Sequence, residues 1–305
     1  MKYRKARILS VIACCLFFMN FSAPRSLASH AGITEFRQAE DTLVALSDSM
    51  FNAFIPDMRR DFCEQFVKVL VRTLKMPNSY QYDFPKLRES INIISPDDKS
   101  FRIFNWVIET SEVTVRYYGA IQLNKETLQL YPLVDYSTEF GKAEEDTVLT
   151  GGKWYGALYY RILTRETSAG KVYTLLGKNS SSLISDKKVA EPLVLSDQGP
   201  VFGLPIFNVS SHTNPNKRIN RFILEYRKDA VATLNWDSEL NAICFDRLVS
   251  QVNDPNRKYT FIPSGEYDGF RWERGQWNFV RDLIPIQVFK DGDAPNPIPI
   301  IKAKE

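Results

Sequence analysis

The residues best suited to chemistry lie in one stretch, residues 265–277, in which acidic and aromatic side chains are interleaved. Glu266, Asp268 and Glu273 are the acids of this stretch. Glycosidases need only two carboxylates across a cleft, one acting as general acid and the other as base or nucleophile. The spacing therefore allows a carboxylate-based, glycosidase-like hydrolase.

The aromatic residues of the same stretch favour binding without catalysis. Tyr267, Trp272 and Trp277 offer rings that can stack on sugars, while the neighbouring acids accept hydrogen bonds from hydroxyl groups. The same alternation is also typical of a half-buried β-hairpin, with residues 274–276 as its tight turn and the rings packed in a core. From the sequence, all three interpretations stay open.

Several other chemistries lack the residues that they need. The chain has two histidines, His30 and His212. His30 lies next to the predicted cleavage site at the start of the mature chain, so His212 is the one histidine expected in the folded part. A His-rich zinc site cannot be built from one histidine. His212 would have to be the base of any catalytic triad, yet it lies in a polar, turn-rich segment, and no G-x-S-x-G motif occurs. The two glycine-rich motifs that bind phosphate groups, G-x-x-x-x-G-K-[ST] and G-x-G-x-x-G, are both absent from the sequence. We therefore expect no metal and no cofactor.

Residues 1–28 have the pattern of a secretory signal peptide. Four cations precede an apolar run at residues 8–21, which is shorter than the roughly 20 residues that span a bilayer. Small residues at Ser26 and Ala28 match a cleavage motif, so we predict cleavage after Ala28. Two alternatives are a lipobox that ends at Cys14, which would anchor the chain through a lipid, and an uncleaved anchor. The apolar run continues past Cys14, which is unusual for a lipoprotein.

The signal also explains the net charge. The whole chain has 39 basic and 36 acidic residues, a net charge of +3. Residues 1–28 hold five of the bases and none of the acids, so cleavage leaves a net charge of −2. No basic field of the kind that nucleic-acid binding needs remains. We expect a periplasmic or extracellular protein without a membrane span in its mature chain, whose partner is an envelope protein or a glycan.

Cys63 and Cys244 are the cysteines that remain after cleavage. An oxidising compartment permits a single disulfide between them. Cys63 lies in a helical pattern and Cys244 in a strand pattern, and both surroundings look buried. Because buried free cysteines are common, the bridge and two free thiols are alternatives.

The elements that position these residues change type along the chain. In residues 29–90, apolar residues recur at spacings of three and four, which predicts an amphipathic helical hairpin. We expect Thr34 to cap its first helix and Pro56 to lie in the first turn of its second. In residues 91–284, apolar and polar residues alternate, which predicts an all-β domain. The Pro-rich residues 285–305 predict an extended arm.

The predicted fold class is α+β, with the helical hairpin followed by a mostly antiparallel β-meander. Residues 117–121 and 154–158 resemble each other, which suggests a weak repeat. Propeller blades repeat at a similar spacing, so a propeller-like or barrel-like closure is a further possibility. A glycine beside aromatic residues also lets a ring lie across the backbone, which would explain the likeness without a repeat.

Five segments resemble a set of uncharacterised exported bacterial proteins. The likeness extends over about residues 90–285 and includes the strand motifs Y-G-A-[IL] and Y-T-L-L-G. Its segments are residues 118–123, 130–133, 154–160, 173–177 and 221–226. The resemblance implies export and a β-rich fold, but no activity. We therefore expect a non-catalytic envelope protein that binds or scaffolds a protein or a glycan, with the extracytoplasmic hydrolase as the alternative.

Overall fold

A computed structural model of the chain describes residues 25–111, 113–141, 143–210, 214 and 216–284. Most of the predicted signal peptide, the histidine His212 and the Pro-rich arm at residues 285–305 lie outside the described residues. The predictions for those segments therefore stay predictions.

Two α-helices precede sixteen strands in the part of the chain that the structure describes. This order agrees with the predicted α+β class. The helices are α1 (Arg25–Asn52) and α2 (Pro56–Leu74). The strands are β1 (Asn92–Ile94), β2 (Phe101–Glu109), β3 (Val115–Leu123), β4 (Leu130–Asp135), β5 (Lys153–Trp154), β6 (Leu158–Thr167), β7 (Gly170–Asn179), β8 (Ser185–Ser196), β9 (Gly199–Phe202), β10 (Phe207–Asn208), β11 (Arg218–Ile219), β12 (Phe222–Arg227), β13 (Leu234–Asp237), β14 (Ala242–Ser250), β15 (Phe261–Glu273) and β16 (Gln276–Ile284).

The helical hairpin forms as the apolar spacing predicts. Pro56 occupies the first turn of α2, where its missing N–H leaves no hydrogen bond unmade. Thr34, however, lies inside α1 and is not its N-cap, because the helix already begins at Arg25. The intervening sequence contains no proline, so nothing in it stops the helix from extending towards the amino end.

The strands form three sheets. The first sheet has the order β1-β2-β3-β4-β5, and the second has the order β12-β8-β7-β6, with β9 paired to β8. The third sheet has the order β11-β10-β16-β15-β14-β13. Most pairs are antiparallel, and β4–β5 and β10–β16 are parallel. These sheets have five and six strands, whereas propeller blades have four.

The hairpin and the three sheets stack as layers, with a hydrophobic core in each of the three gaps between them. The second sheet is the central layer of strands, since alternate residues of β7, β8 and β12 enter different cores. Leu175, Val189 and Ile223 face the first sheet, and Leu176, Ala190 and Leu224 face the third. The middle of this sheet is covered on both faces, so polar groups there need partners within the protein.

The two similar segments are not structural repeats. Residues 117–121 lie in the middle of β3, whereas residues 154–158 run from β5 through a turn into β6. At Gly119, an added Cβ atom would lie 3.3 Å from the Cη2 atom of Trp154, so this glycine makes room for a ring. Gly156 instead adopts a φ of +74°, a backbone conformation that favours glycine. The likeness therefore reflects two different needs for glycine.

Candidate functional site

Residues 265–277 form the predicted hairpin. They belong to β15 and β16, and Trp272 lies directly opposite Trp277. Arg274 and Gly275 make the turn, with φ angles of 53° and 78°. Two successive residues with positive φ are typical of the two-residue turns that match the twist of a β-hairpin. The expected tight turn is therefore confirmed.

Trp277 is a core residue and does not line a binding surface. Its side chain is fully buried, and its indole N–H donates a hydrogen bond of 2.9 Å to the Thr174 hydroxyl in the second sheet. The rings of Trp236 and Trp272 pack against it, with centroids 6.2 and 5.1 Å away. Stacking of a sugar on Trp277, which the sequence allowed, is excluded because the core between the second and third sheets already covers this ring.

Glu266 and Asp268 converge on an arginine. Arg247 donates a hydrogen bond of 3.0 Å from Nε to Asp268 and forms ion pairs with Glu266 and with Asp282. The hydrogen bonds to Asp268 and Asp282 raise the pKa of the Arg247 guanidinium, so this group stays protonated. Glu273 is exposed next to the turn. Glu266 and Asp268 thus share one cation and do not face each other across an open cleft.

Of the two alternatives for the cysteines, the structure has the free thiols, and no bridge joins Cys63 to Cys244. Cys63 lies in the core between the helices and the first sheet, where the indole N–H of Trp106 lies 3.5 Å from its sulfur atom. Cys244 lies on β14 of the third sheet. The first and second sheets lie between the two cysteines. The cysteines are therefore too far apart to form the disulfide that an oxidising compartment would permit.

A second group of charged residues lies inside the molecule. Arg221, just before β12, and Glu191 of β8 form a salt bridge in which neither side chain has exposed surface. The Nε atom of Arg221 lies 2.6 Å from Oε1 of Glu191, and the Tyr159 hydroxyl donates to the other carboxylate oxygen. Burial raises the pKa of Tyr159. The carboxylate is therefore satisfied by two donors within the protein.

The same arginine extends this network towards the surface. Its Nη1 atom donates a hydrogen bond of 2.6 Å to the backbone carbonyl of Glu144. The rings of Tyr155 and Phe140 flank its guanidinium, with centroids 5.0 and 5.4 Å from Cζ. The Tyr155 hydroxyl donates to the side-chain carboxylate of Glu144 over 2.9 Å, and Lys187 bonds the same carboxylate over 2.7 Å. Glu144 is thus fixed by both its backbone and its side chain.

Glu144 lies at the edge of an open cleft of about 580 Å³, which we call the glutamate cleft. Its lining includes Gly141, Glu144, Glu145, Ile223, Glu225 and Lys258. The cleft lies where β12 meets the segment between β4 and β5. It brings three carboxylates to one surface, supported underneath by the buried Arg221–Glu191 pair.

The carboxylates of the glutamate cleft have different surroundings. Glu225 accepts a hydrogen bond of 2.6 Å from Ser185. The side chain of Glu145 makes no hydrogen bond or ion pair with any described residue, and burial raises its pKa. A carboxyl group of this kind, inside a cleft, is available both to bind hydroxyl groups and to hold a proton.

Comparison of the chain with protein-family models, curated proteins and solved structures finds no match. The glutamate cleft therefore has to be interpreted from its own residues.

No cluster of three or more potential metal ligands from His, Cys, Asp and Glu occurs among the described residues. Within the same residues, no helix combines the length and the apolar character of a membrane span.

Little in the sequence points to this cleft. Glu144 and Glu145 are adjacent acids in a segment between strands, a pattern that usually means a solvated turn. Arg221 and Glu191 are thirty positions apart in sequence, so only the pairing of β8 with β12 brings them together. One signal is Glu191 itself, a charged residue inside the otherwise apolar residues 189–195.

Proposed function

We propose that the chain is an exported, non-catalytic protein of the cell envelope that binds a glycan through the glutamate cleft. Export rests on the charged and apolar pattern of residues 1–28. The binding role rests on one observation above all, namely that Glu145 lies in the cleft and that its carboxyl group makes no hydrogen bond or ion pair with a described residue.

The cleft has the polar and apolar groups that sugar recognition uses. Glu145, Glu225 and Asn256 offer acceptors and donors for hydroxyl groups, and Ile223 and Pro255 supply apolar surface for a ring face. Binding sites of small ligands combine a few polar groups with an apolar lining in this way.

The support beneath the cleft favours binding with little rearrangement. Glu144 is held by Lys187, Tyr155 and the backbone contact from Arg221. Since little of this wall has to be ordered when a ligand arrives, the entropic cost of binding is reduced.

A glycan array probed with the full chain tests the proposal. The glycans that bind are then titrated by calorimetry against Glu145→Gln and Glu225→Gln, with Glu64→Gln as the matched control because Glu64 is exposed on α2. We expect about a tenfold loss of affinity in the cleft variants and none in the control. Binding of no glycan by the wild-type chain, or equal binding by all variants, would refute the assignment.

A carboxylate-based hydrolase is the second candidate, and the raised pKa of Glu145 favours it. A protonated Glu145 could act as general acid beside an ionised partner in the same cleft. Release of reducing ends from envelope polysaccharides measures this activity. Loss of turnover in a folded Glu145→Gln variant supports the hydrolase, whereas binding without turnover supports the first proposal.

A further inference from the structure

The second sheet carries a group of lysines on the face opposite the glutamate cleft. Lys178 of β7 and Lys188 of β8 are direct cross-strand partners. Asp186 lies two residues before Lys188, on the same face of β8, and Lys228 follows the end of β12. We call these three lysines and the aspartate the lysine cluster.

One carboxylate pairs with two of the three ammonium groups of the cluster. The side chain of Asp186 is 8% exposed and accepts a bond of 2.7 Å from Lys178 and another of 2.7 Å from Lys228. Lys228 also donates to the backbone carbonyls of Ser180 and Ser182, over 3.1 and 3.0 Å. The three N–H donors of Lys228 are therefore occupied, and Asp186 is already shared.

Lys188 has no such partner. Its side chain makes no hydrogen bond or ion pair with a described residue, and its Nζ atom lies 5.2 Å from the ring centroid of Tyr160. Burial lowers the pKa of Lys188, and the neighbouring charge of Lys178 lowers it further. Lys178 uses one of its three N–H donors in its bond to Asp186. Unused N–H donors thus remain on two adjacent lysines.

We propose that Lys178 and Lys188 bind an oxyanion, the carboxylate or phosphate group of an acidic ligand. Cross-strand partners have Cβ atoms about 5 Å apart, so two lysine side chains of this length can reach one anionic group. With three cations against one carboxylate, the cluster has a charge of +2, which an anion would offset. A half-buried ammonium group without a partner is unfavourable, and ligand binding removes that penalty.

This site does not depend on the proposed glycan binding at the glutamate cleft. The two sites lie on opposite faces of the second sheet, since Lys187 faces the cleft and Lys188 faces away from it. A ligand with both sugar rings and acidic groups could occupy either site alone.

Calorimetric titration of the full chain with inorganic phosphate and with glucuronate, each at low salt, tests the oxyanion site. The variants are Lys188→Gln, which removes the charge, and Lys188→Arg, which keeps it. Lys68→Gln is the matched control, because Lys68 is an exposed lysine on α2. We expect at least about a tenfold loss of affinity in Lys188→Gln, because it removes a charge-assisted hydrogen bond. Lys188→Arg and the control should bind nearly as the wild-type chain does.

The two probes separate the sources of the anion. Phosphate binding alone indicates a phosphorylated ligand, and glucuronate binding alone indicates an acidic sugar. Either outcome supports the oxyanion site when Lys188→Gln weakens the binding. Because phosphate has no sugar ring, its binding reports on the lysine cluster alone, so failure of the glutamate cleft and failure of the lysine cluster are distinguishable. The site is refuted if neither probe binds at low salt, or if Lys188→Gln binds as tightly as the wild-type chain.

Thermal unfolding gives a readout that does not depend on calorimetry. A bound anion stabilises the folded chain, so phosphate or glucuronate should raise the melting temperature of the wild-type chain and of Lys188→Arg. Without ligand, Lys188→Gln should melt no lower than the wild-type chain, because it removes an unpaired, half-buried charge next to Lys178. A Lys188→Gln chain that melts well below the wild-type chain would show that the lysine is structural and would overturn the proposal.

Discussion

Arg221 and Glu191 form a salt bridge with no exposed surface on either side chain. The pair lies in the core between the first and second sheets, directly beneath the glutamate cleft. Removing two charges from water is costly, and the cost is recovered only when geometry and additional hydrogen bonds are good. Here the additional bonds come from Tyr159 to the carboxylate and from the guanidinium to the carbonyl of Glu144.

Breaking this pair from one side should destabilise the fold strongly. We expect Glu191→Leu or Arg221→Met to lower the free energy of unfolding by about 3–5 kcal/mol, because each leaves an uncompensated buried charge. The double variant should be more stable than either single variant, since no buried charge remains in it. Urea unfolding followed by circular dichroism measures all three and completes a double-mutant cycle. Single variants that lose less than about 1 kcal/mol would contradict this account.

The buried pair also shows why the hairpin can be predicted from the sequence whereas the cleft cannot. The turn at Arg274 and Gly275 and the first-turn position of Pro56 are local features, so neighbouring residues are enough to predict them. The pairing of Arg221 with Glu191 depends on which strands become neighbours. The burial of Trp277 depends on the third sheet packing against the second. Neither relationship leaves a periodic signal in the sequence.

The start of α1 was missed for a different reason. Thr34 is a good N-cap residue, and the apolar stripe begins just after it. Helix-compatible residues nevertheless continue back to Arg25, so the helix begins there. An N-cap side chain contributes only a small part of the free energy that stabilises a helix. The backbone hydrogen bonds gained by starting the helix at Arg25 outweigh that contribution here.

The two tryptophans of the hairpin should differ sharply in their effect on stability. Trp277→Ala removes a fully buried ring and its hydrogen bond to Thr174, so we expect a loss of about 3–5 kcal/mol. Trp272→Ala removes a half-buried ring and should cost about 1–2 kcal/mol. Urea unfolding monitored by circular dichroism gives both values. Equal losses would mean that Trp277 contributes no more to the core than its partner.

The two thiols should be unreactive while the chain is folded. Burial raises the pKa of both thiols, that of Cys244 to about 11. At pH 8 only about a thousandth of Cys244 is then thiolate, the form that reacts with iodoacetamide. Peptide mapping by mass spectrometry should find Cys63 and Cys244 unmodified in the native chain and alkylated in urea. A linked Cys63–Cys244 peptide under non-reducing conditions would contradict the free thiols.

Asp98 should make the stability of the fold depend on pH in acid. This side chain accepts hydrogen bonds from Lys171, Ser100 and Tyr173. Burial alone would raise the pKa of Asp98, but these bonds outweigh burial and lower the pKa to about 2. The value in the unfolded chain is about 3.9, so the unfolded chain binds more protons than the folded chain between these two values.

It follows that Asp98 stabilises the fold fully above about pH 4, and that this contribution is lost as the pH falls through about 2. Asp98→Asn should therefore be less stable than the wild-type chain by a constant amount from pH 5 to pH 7. The difference should shrink steadily below pH 4. Urea unfolding of both chains across this range measures it, with the exposed Asp61→Asn as the control for loss of an aspartate. A difference that does not change between pH 5 and pH 2 would show that the bonds to Asp98 do not depend on its charge.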